Sequence, residues 1–230
     1  MKELEARLIE ALGRPLPGLD AQLRMAPRPR VGWDPHRLPD GLRDGAALLL
    51  VYPGSGGSKA GGSKDPPLLV PHILLTVRGS GLRKHTGQVS FPGGAVDPHE
   101  SIETAALREA AEEVGVIPGA VRVLGRLTPL HILVSGYPLH PVVGIVDERP
   151  DFRAAEWEVA RILEVPVEHF NDPANIKSQT QTRHAAGTAV EVDVPYFDVD
   201  GEVVWGATAM TIAEFLALIA APGPSDHALI

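Results

Sequence analysis

The sequence of 230 residues contains no cysteine. Disulfides, thiolate zinc sites, iron–sulfur clusters and a cysteine nucleophile are therefore excluded. Long apolar runs are also missing, because the longest one, residues 46–52, is much too short to cross a bilayer. Residues 1–13 are charged throughout and lack the apolar core of a signal peptide. These absences predict a cytoplasmic protein with no membrane partner.

Basic residues are fewer than acidic ones, at 21 Lys and Arg against 29 Asp and Glu, for a net charge of −8. A chain with an excess of acidic residues is poorly suited to bind the negatively charged backbone of a nucleic acid. We therefore expect no nucleic-acid partner. If the substrate is a polyanion, a bound divalent cation is the obvious source of neutralising charge. By contrast, Gly and Pro are plentiful, at 24 and 22, which predicts many turns rather than a helical bundle.

No linker divides the chain, and residues 1–230 are predicted to form a single domain. Residues 1–45 are expected to hold an N-terminal helix and then an irregular wrapping segment. Residues 53–67 are rich in Gly, Ser and Pro and predict a mobile insert. This insert repeats Gly-Gly-Ser-Lys, but a phosphate-binding P-loop requires Gly-Lys-Ser/Thr, so the repeat does not indicate a phosphate site.

Strand-like and helix-like segments mix without a strict βαβ rhythm, which predicts an α/β (α+β) fold with a mixed sheet covered by helices. The expected strands are residues 46–52, 68–77, 121–127, 132–135, 141–146 and 189–194. The expected helices are residues 3–12, 101–114, 156–163 and 208–221. The start of the second helix has two candidate caps: Ser101, or Asp97 with Glu100 completing a capping box.

The clearest chemical signal is the acidic helix at residues 101–114. At about 100° per residue, Glu109, Glu112 and Glu113 fall on one face. Carboxylates crowded in this way repel each other, and clustered oxygen ligands without His or Cys suit Mg²⁺ or Mn²⁺. The plain alternative is a solvated acidic face. A small apolar opposite face and a Gly-Gly turn before the helix favour the metal interpretation.

The spacing of these residues resembles the Nudix box, the loop–helix–loop signature of hydrolases that cut diphosphates linked to another moiety. The matching residues are Gly94, Glu100, Arg108, Glu109, Glu112, Glu113, Gly115 and Val116, and Ala110 replaces a larger aliphatic residue. The resemblance implies a Nudix-like α/β/α sandwich with a mixed β-sheet and a Mg²⁺ or Mn²⁺ cofactor. It also implies roles: Arg108 orients Glu109, Glu100 supports the site, and the metal ligands are Glu109, Glu112, Glu113 and the carbonyl of Gly93.

Residues 74–94, which precede and enter the box, resemble the signature of the coenzyme A pyrophosphatase branch of the Nudix family. The matching residues are Leu74, Leu75, Thr76, Arg78, Arg83, Gly87, Phe91, Pro92, Gly93 and Gly94, whereas Gly79 departs from the usual Ser or Ala. Alone, this stretch is typical of an ordinary polar loop. Beside a diphosphate-cleaving box, its arginine forks suit phosphate oxygens. The implied substrate-binding group is Arg78, Arg83, His85, Gln88 and Phe91.

Three functions compete at this point. The first is metal-dependent cleavage of coenzyme A or its derivatives to 4′-phosphopantetheine and adenosine 3′,5′-bisphosphate. The second is hydrolysis of another nucleoside diphosphate derivative, such as ADP-ribose, a dinucleotide or a nucleoside triphosphate. The third is a non-catalytic nucleotide-sensing module. The general base is open among Glu109, Glu112, Glu158 and Glu164, and a homodimer is an open possibility.

Overall fold

The computed structural model describes residues 1–30, 43–56, 69–79, 87–132, 137–185 and 188–220. Its α-helices are α1 (Lys2–Leu12), α2 (Gly18–Gln22), α3 (Ile102–Val114) and α4 (Gly206–Ala220). Its strands are β1 (Gly45–Ser55), β2 (Leu69–Arg78), β3 (Val89–Ser90), β4 (Gly93–Ala95), β5 (Arg122–Arg126), β6 (Leu130–Ile132), β7 (Tyr137–Ile145), β8 (Val159–Pro166), β9 (Ile176–Ala185), β10 (Thr188–Val199) and β11 (Glu202–Trp205). Short 3₁₀ helices are Leu23–Met25, Pro118–Ala120, Val167–Asn171 and Pro173–Asn175.

The larger sheet is mixed, as predicted. Its main path runs β3-β2-β1-β7-β5, while β4 pairs with β1, β6 with β7 and β8 with β2. Strands β1 and β7 are parallel, and the other pairs of this sheet within the described residues are antiparallel. The short β4 pairs with β1 at residues 45–47, so Gly93 and Gly94 form strand rather than the predicted turn and lie at this end of the sheet.

Alternate residues of β1 point to opposite faces of the sheet. Ala47, Leu49 and Val51 belong to one core, which also contains Leu8 of α1 and Phe215 of α4. The intervening residues of β1 belong to a second core with the apolar face of α3: Ala46, Leu48, Leu50, Tyr52, Ala105, Ala106, Ala110 and Val114. The sheet therefore lies between α3 on one face and α1 with α4 on the other. This arrangement confirms the predicted fold class.

A second, antiparallel sheet has the order β11-β10-β9. Phe197, Val199 and Val204 of this sheet join the core that contains α1 and α4. The hairpin between β10 and β11 turns through Asp200 and Gly201, which both have positive φ (51° and 85°), as an Asp-Gly type I′ turn requires. The Asp-Gly pair in the sequence was therefore a signal for β11, which the predicted elements omit along with β9.

Several predicted elements agree with the structure within a few residues: helices α1, α3 and α4 and strands β1, β2, β5, β7 and β10. Ser101 is the N-cap of α3, since its side chain accepts a hydrogen bond from the Thr104 N–H. Residues 57–67, most of the predicted insert, lie outside the described residues, as do residues 133–135 of the predicted strand at 132–135. The prediction of a single domain stays a prediction.

Two local predictions are wrong. The predicted helix at residues 156–163 is instead a turn followed by β8. Its apolar residues allow either element, and the available edge of β2 decides for a strand, with Leu75 opposite Leu163. The segment after α1 is not wholly irregular either, because it contains α2 and the 3₁₀ helix Leu23–Met25. Within the described part of the chain, no helix is both long and apolar enough to span a membrane.

Candidate active site

Helix α3 is fixed at both ends by local chemistry. Ser101 Oγ accepts the Thr104 N–H at 3.1 Å, which satisfies an otherwise unpaired donor of the first turn. The helix ends at Gly115, whose φ of 73° lies in the left-handed region that glycine adopts most readily. Ala105, Ala106 and Ala110 are fully buried against the sheet. These small side chains let α3 pack closely on β1. The Glu109 carboxylate of α3 therefore reaches Gly94 of β4.

Arg108 is the hub of an ion-pair network at the rim of this helix. Its guanidinium donates to Glu100 from Nε at 3.0 Å and from Nη2 at 3.1 Å. It also donates from Nη1 to Glu109 at 2.8 Å and to Glu112 at 3.3 Å, and from Nη2 to the Ala95 carbonyl at 3.2 Å. The hydrogen bonds from Arg108 and from the Asp97 backbone lower the pKa of Glu100. Arg108 therefore holds three of the predicted site carboxylates in one arrangement.

The Glu109 carboxylate packs directly on the Gly94 backbone. A Cβ at position 94 would lie 2.4 Å from both Cδ and Oε1 of Glu109, so the carboxylate would have to move away. Burial raises the pKa of Glu109, and the hydrogen bond from Arg108 opposes that shift. Glycine at position 94 thus leaves the space in which the Glu109 carboxylate lies against β4.

Glu113 is the most buried acid of this cluster, with 2% of its surface exposed. Burial raises its pKa to about 8, the nearby charges of Glu158 and Glu109 add to the rise, and Arg78 and a Gly93 backbone hydrogen bond oppose it. Positive charge close to a buried carboxyl group of this kind favours its ionised form. Glu112 differs, because 57% of its side chain is exposed at the outer edge.

The donor chemistry of this site fits a divalent cation. The charge of Glu158 raises the pKa of both Glu109 and Glu113, while Arg108 lowers that of Glu109 and Arg78 lowers that of Glu113. Among the described residues, no three acidic or histidine side chains already form a metal cage. Arg108 donates hydrogen bonds to one carboxylate oxygen of Glu109 and one of Glu112, so these two oxygens already have a cationic partner. Carboxylate and carbonyl oxygens are nonetheless the ligands that Mg²⁺ or Mn²⁺ prefers, and a bound cation would favour the ionised form of the buried Glu113.

Glu158 and Glu164, the two candidate bases from the later part of the chain, have separate environments. Glu158 immediately precedes β8, and its carbonyl accepts the Gly79 N–H at 2.7 Å. Glu164 lies six residues further along, about 20 Å away at the rise of a strand. Its carboxylate accepts two hydrogen bonds from Arg149, both at 2.6 Å, and one from the Tyr52 hydroxyl at 3.1 Å. The structure thus brings Glu158 to the cluster and leaves Glu164 outside it.

The predicted substrate-binding residues have different locations: some lie near the carboxylate cluster or in the core, and others lie outside the described residues. Arg78 ends β2 and acts on Glu113, and its backbone N–H bonds the Gln88 carbonyl at 3.0 Å. Arg83 and His85 lie outside the described residues. Phe91 is only 4% exposed and packs in the core that contains α1 and α4. Its burial gives the Phe91 ring a packing role, and the prediction that Phe91 contacts substrate stays a prediction.

Two features of the site are absent from the sequence-based prediction. Gly79 lets β2 approach the Glu158 backbone, because a Cβ there would meet the Glu158 carbonyl oxygen at 3.2 Å. Its departure from the usual Ser or Ala was the available signal. Trp157 is 68% exposed beside Glu158. The predicted helix at residues 156–163 includes Trp157, whereas the structure places it in a turn. A single Trp in a polar stretch is the signal in the sequence for an exposed aromatic residue.

Comparison with known proteins gives a consistent set of similarities. The model of the NUDIX domain matches residues 67–181, half of the chain. The chain is 52% identical over 98 residues to NudL, described as an uncharacterized Nudix hydrolase, from Escherichia coli O1:K1 and from Shigella boydii serotype 18. Each match covers 42% of this chain and 50% of the relative, so the chain spans about half the length of the curated relatives it matches.

Solved structures with similarity include a Nudix hydrolase from M. smegmatis, RenU, and an Ap4A hydrolase from C. elegans in a binary complex. RenU has a TM-score of 0.40 and 23% identity, over 55% of this chain and 72% of the RenU chain. The C. elegans protein has a TM-score of 0.41 and 18% identity, over 54% of this chain and 80% of its own.

Proposed function

The chain belongs to the NUDIX domain family, and from that premise we propose that it is a metal-dependent pyrophosphatase that cleaves the diphosphate bond of coenzyme A or its derivatives. The products are 4′-phosphopantetheine and adenosine 3′,5′-bisphosphate. The observation that carries the hydrolase proposal is the convergence of Glu109, Glu113 and Glu158 beside Arg78. The coenzyme A assignment has a narrower basis, the resemblance of residues 74–94 to the coenzyme A pyrophosphatase signature.

Members of this family generally use Mg²⁺ or Mn²⁺. Here the proposed ligands are Glu109, Glu112, Glu113 and the Gly93 carbonyl. When bound, the ion neutralises diphosphate charge and activates water for attack on phosphorus.

The chain's own residues have distinct proposed tasks. Arg108 fixes Glu109 and is itself oriented by Glu100 through two hydrogen bonds. Arg78 binds phosphate oxygens, because its guanidinium adjoins the carboxylate cluster at the end of β2. Glu158 accepts the proton of the attacking water. Its position supports this role over Glu164, whose carboxylate is held by Arg149 and Tyr52 and has a lowered pKa, which makes it a weaker base.

A product assay tests this proposal. Purified protein is incubated with coenzyme A, ADP-ribose, NADH, a dinucleoside polyphosphate and nucleoside triphosphates, each with Mg²⁺, with Mn²⁺ or with EDTA, and products are identified by mass. We expect 4′-phosphopantetheine from coenzyme A only when metal is present. Faster cleavage of another nucleoside diphosphate derivative would identify that compound, and not coenzyme A, as the preferred substrate. Nucleotide binding without cleavage of any compound would instead support a sensing module.

Substitution of the carboxylates tests the site independently of substrate choice. Glu109→Gln and Glu113→Gln should lose nearly all activity while circular dichroism shows a folded protein. Addition of Mn²⁺ should raise the melting temperature of the unsubstituted protein more than that of either variant, since a bound ligand stabilises the folded state. Activity near the original level in both variants would contradict the proposed metal ligands.

A further inference from the structure

One large aromatic side chain is exposed at the edge of the candidate active site. Among the described residues, the exposed large hydrophobic side chains are Ile9, Leu69, Ile117, Val123, Trp157 and Ile176, of which Trp157 alone is aromatic. With 68% of its surface in solvent, the Trp157 indole contributes little to the core. The turn that carries it, residues 156–158, is closed by backbone hydrogen bonds. The position of Trp157 therefore calls for an explanation other than folding.

Backbone hydrogen bonds tie the Trp157 turn to both elements of the site. On one side, the Ala155 N–H bonds the Glu113 carbonyl at 2.9 Å, at the end of α3. On the other, the Gly79 N–H bonds the Glu158 carbonyl at 2.7 Å, at the end of β2. The turn is closed internally because the Glu158 and Val159 N–H groups both bond the Ala155 carbonyl at 2.8 Å. Trp157 is thus presented on a fixed support.

The backbone of Trp157 adjoins the carboxylate cluster through the next residue, Glu158. Trp157 directly precedes Glu158, so their Cα atoms lie about 3.8 Å apart. Glu158 in turn is close enough to Glu113 to raise its pKa. A nucleoside diphosphate that places its phosphates on the cluster has its base one ribose away. Such a base needs an apolar surface beside the cluster, and the exposed Trp157 ring is on the adjoining turn.

Arg78 supplies a second indication that a ligand completes this region. It lies opposite Val159, the residue after Glu158, across the β2–β8 pairing. Its Nε is buried, and within the described part of the chain it has no hydrogen-bond partner. A buried donor without a partner is costly, and a phosphate oxygen satisfies it.

We infer that Trp157 is a stacking surface for the nucleobase of the substrate, with Arg78 holding the adjoining phosphate. This assignment rests on the proposed function, because it takes the carboxylate cluster as the place where the diphosphate binds. Base stacking on an aromatic ring tolerates different bases, since each base has a π face. Trp157 consequently gives affinity for the nucleoside half of the substrate, and it contributes nothing to binding of a bare diphosphate.

Binding measurements separate the nucleobase from the phosphates. The full chain is titrated in a calorimeter, with Mg²⁺ present, against adenosine 3′,5′-bisphosphate, ADP and inorganic pyrophosphate. The variants are Trp157→Ala and Trp157→Phe, with Ile176→Ala as a control that removes an exposed apolar side chain from β9. Thermal melts check that each variant is folded. Coenzyme A turnover is measured in parallel for each protein.

We expect Trp157→Ala to weaken the binding of adenosine 3′,5′-bisphosphate and of ADP roughly tenfold or more. Trp157→Phe should retain most of the affinity for both nucleotides. Pyrophosphate should bind all variants equally, and Ile176→Ala should match the unsubstituted protein. Unchanged nucleotide affinity in Trp157→Ala would overturn the assignment, as would an equal loss for pyrophosphate. If the unsubstituted protein cleaves no coenzyme A but Trp157→Ala still loses nucleotide affinity, the stacking surface stands and the proposed substrate fails.

Discussion

Glycine at position 94 controls where the Glu109 carboxylate can lie. Its missing Cβ is the space that the Glu109 side chain fills, and an added methyl would come within 2.4 Å of the carboxylate. Arg108 holds the same carboxylate from the other side at 2.8 Å. The absent side chain of Gly94 and the hydrogen bond from Arg108 together position the Glu109 carboxylate. Contacts on both sides of a group give a site a fixed geometry.

Gly94→Ala should lower kcat by roughly a hundredfold, because a displacement of about 1 Å at a reacting group has that effect. Gly119→Ala is the matched control, since a Cβ at position 119 meets nothing within 4 Å. Steady-state kinetics with the preferred substrate measure both variants, and thermal melts confirm folding. A kcat for Gly94→Ala within threefold of the control would show that Glu109 tolerates displacement.

The pair Glu158 and Glu164 permits a sharp comparison of catalysis with stability. Glu158→Gln should reduce kcat by about 10²-fold or more, as removal of a general base does. Glu164→Gln should leave kcat within a few fold, because Glu164 lies beyond the carboxylate cluster. The reverse pattern in pH–rate profiles of the two variants would assign the base to Glu164.

Glu164 should also contribute pH-dependent stability. Hydrogen bonds from Arg149 and from Tyr52 lower its pKa from the ordinary value of 4.5, and burial works against them. A lowered folded-state pKa stabilises the protein above pH 4.5, and this stabilisation is lost as pH falls through the folded-state value. Urea unfolding should therefore show Glu164→Gln less stable by up to about 1 kcal/mol at pH 7, with the difference shrinking toward pH 3. A difference that grows in acid would contradict the proposed ion pair.

Among the elements, α3 has the most self-contained structure. Its N-cap is Ser101, its C-cap is Gly115, and its alanine face packs on β1. The Asp97 N–H also bonds Glu100 at 3.1 Å, so the loop before the helix has its own support. Because these interactions are local in sequence, the periodicity and the flanking residues were sufficient to predict the helix.

Ser101→Ala should destabilise the protein by about 1 kcal/mol, because the Thr104 N–H loses its acceptor. For a chain of this size the melting temperature should fall by roughly 2–4 °C. Ser101→Asp should restore the loss, since Asp is an equally good N-cap. Differential scanning calorimetry measures all three proteins. A destabilised Ser101→Asp variant would mean that the hydroxyl acts through Thr104 Oγ1 instead.

Strand β8 illustrates the opposite situation. Residues 156–163 contain an apolar spacing that also suits a helix, and the strand forms because β2 offers an edge at residues 72–78. Strand β9 was missed for a related reason, since its polar residues carry no hydrophobic alternation and its hydrogen bonds come from β10. Pairing partners distant in sequence decided both elements.

At the scale of the whole molecule, Glu214 connects parts of the chain that lie far apart in sequence. It is fully buried on α4, and its carboxylate accepts hydrogen bonds from Gly18, Gln22 and Thr128. The shortest are 2.7 Å, from Gln22 Nε2 and from Thr128 Oγ1. Glu214 thereby joins α2 and the turn after β5 to the last helix.

Glu214→Ala should destabilise the protein by about 3 kcal/mol, because several donors lose their acceptor in a buried place. Glu191→Ala is the control, since Glu191 is exposed on β10. Urea unfolding measures the difference, and limited proteolysis should cut the N-terminal segment sooner in Glu214→Ala. Equal stability of the two variants would show that water replaces the lost acceptor.

The sequence by itself determined the family motif, helix α3 with Ser101 as one of two candidate N-caps, four of the eight strands of the main sheet and the acidic residues of α3. These features depend on neighbours in sequence, on helical spacing and on alternation. Only the tertiary structure decided that Glu158 joins the cluster while Glu164 pairs with Arg149, that Phe91 is buried, and that Trp157 stands exposed beside Glu158. Strand pairing and burial bring together residues that no local pattern relates, and the environment of a carboxyl group sets its pKa and its role.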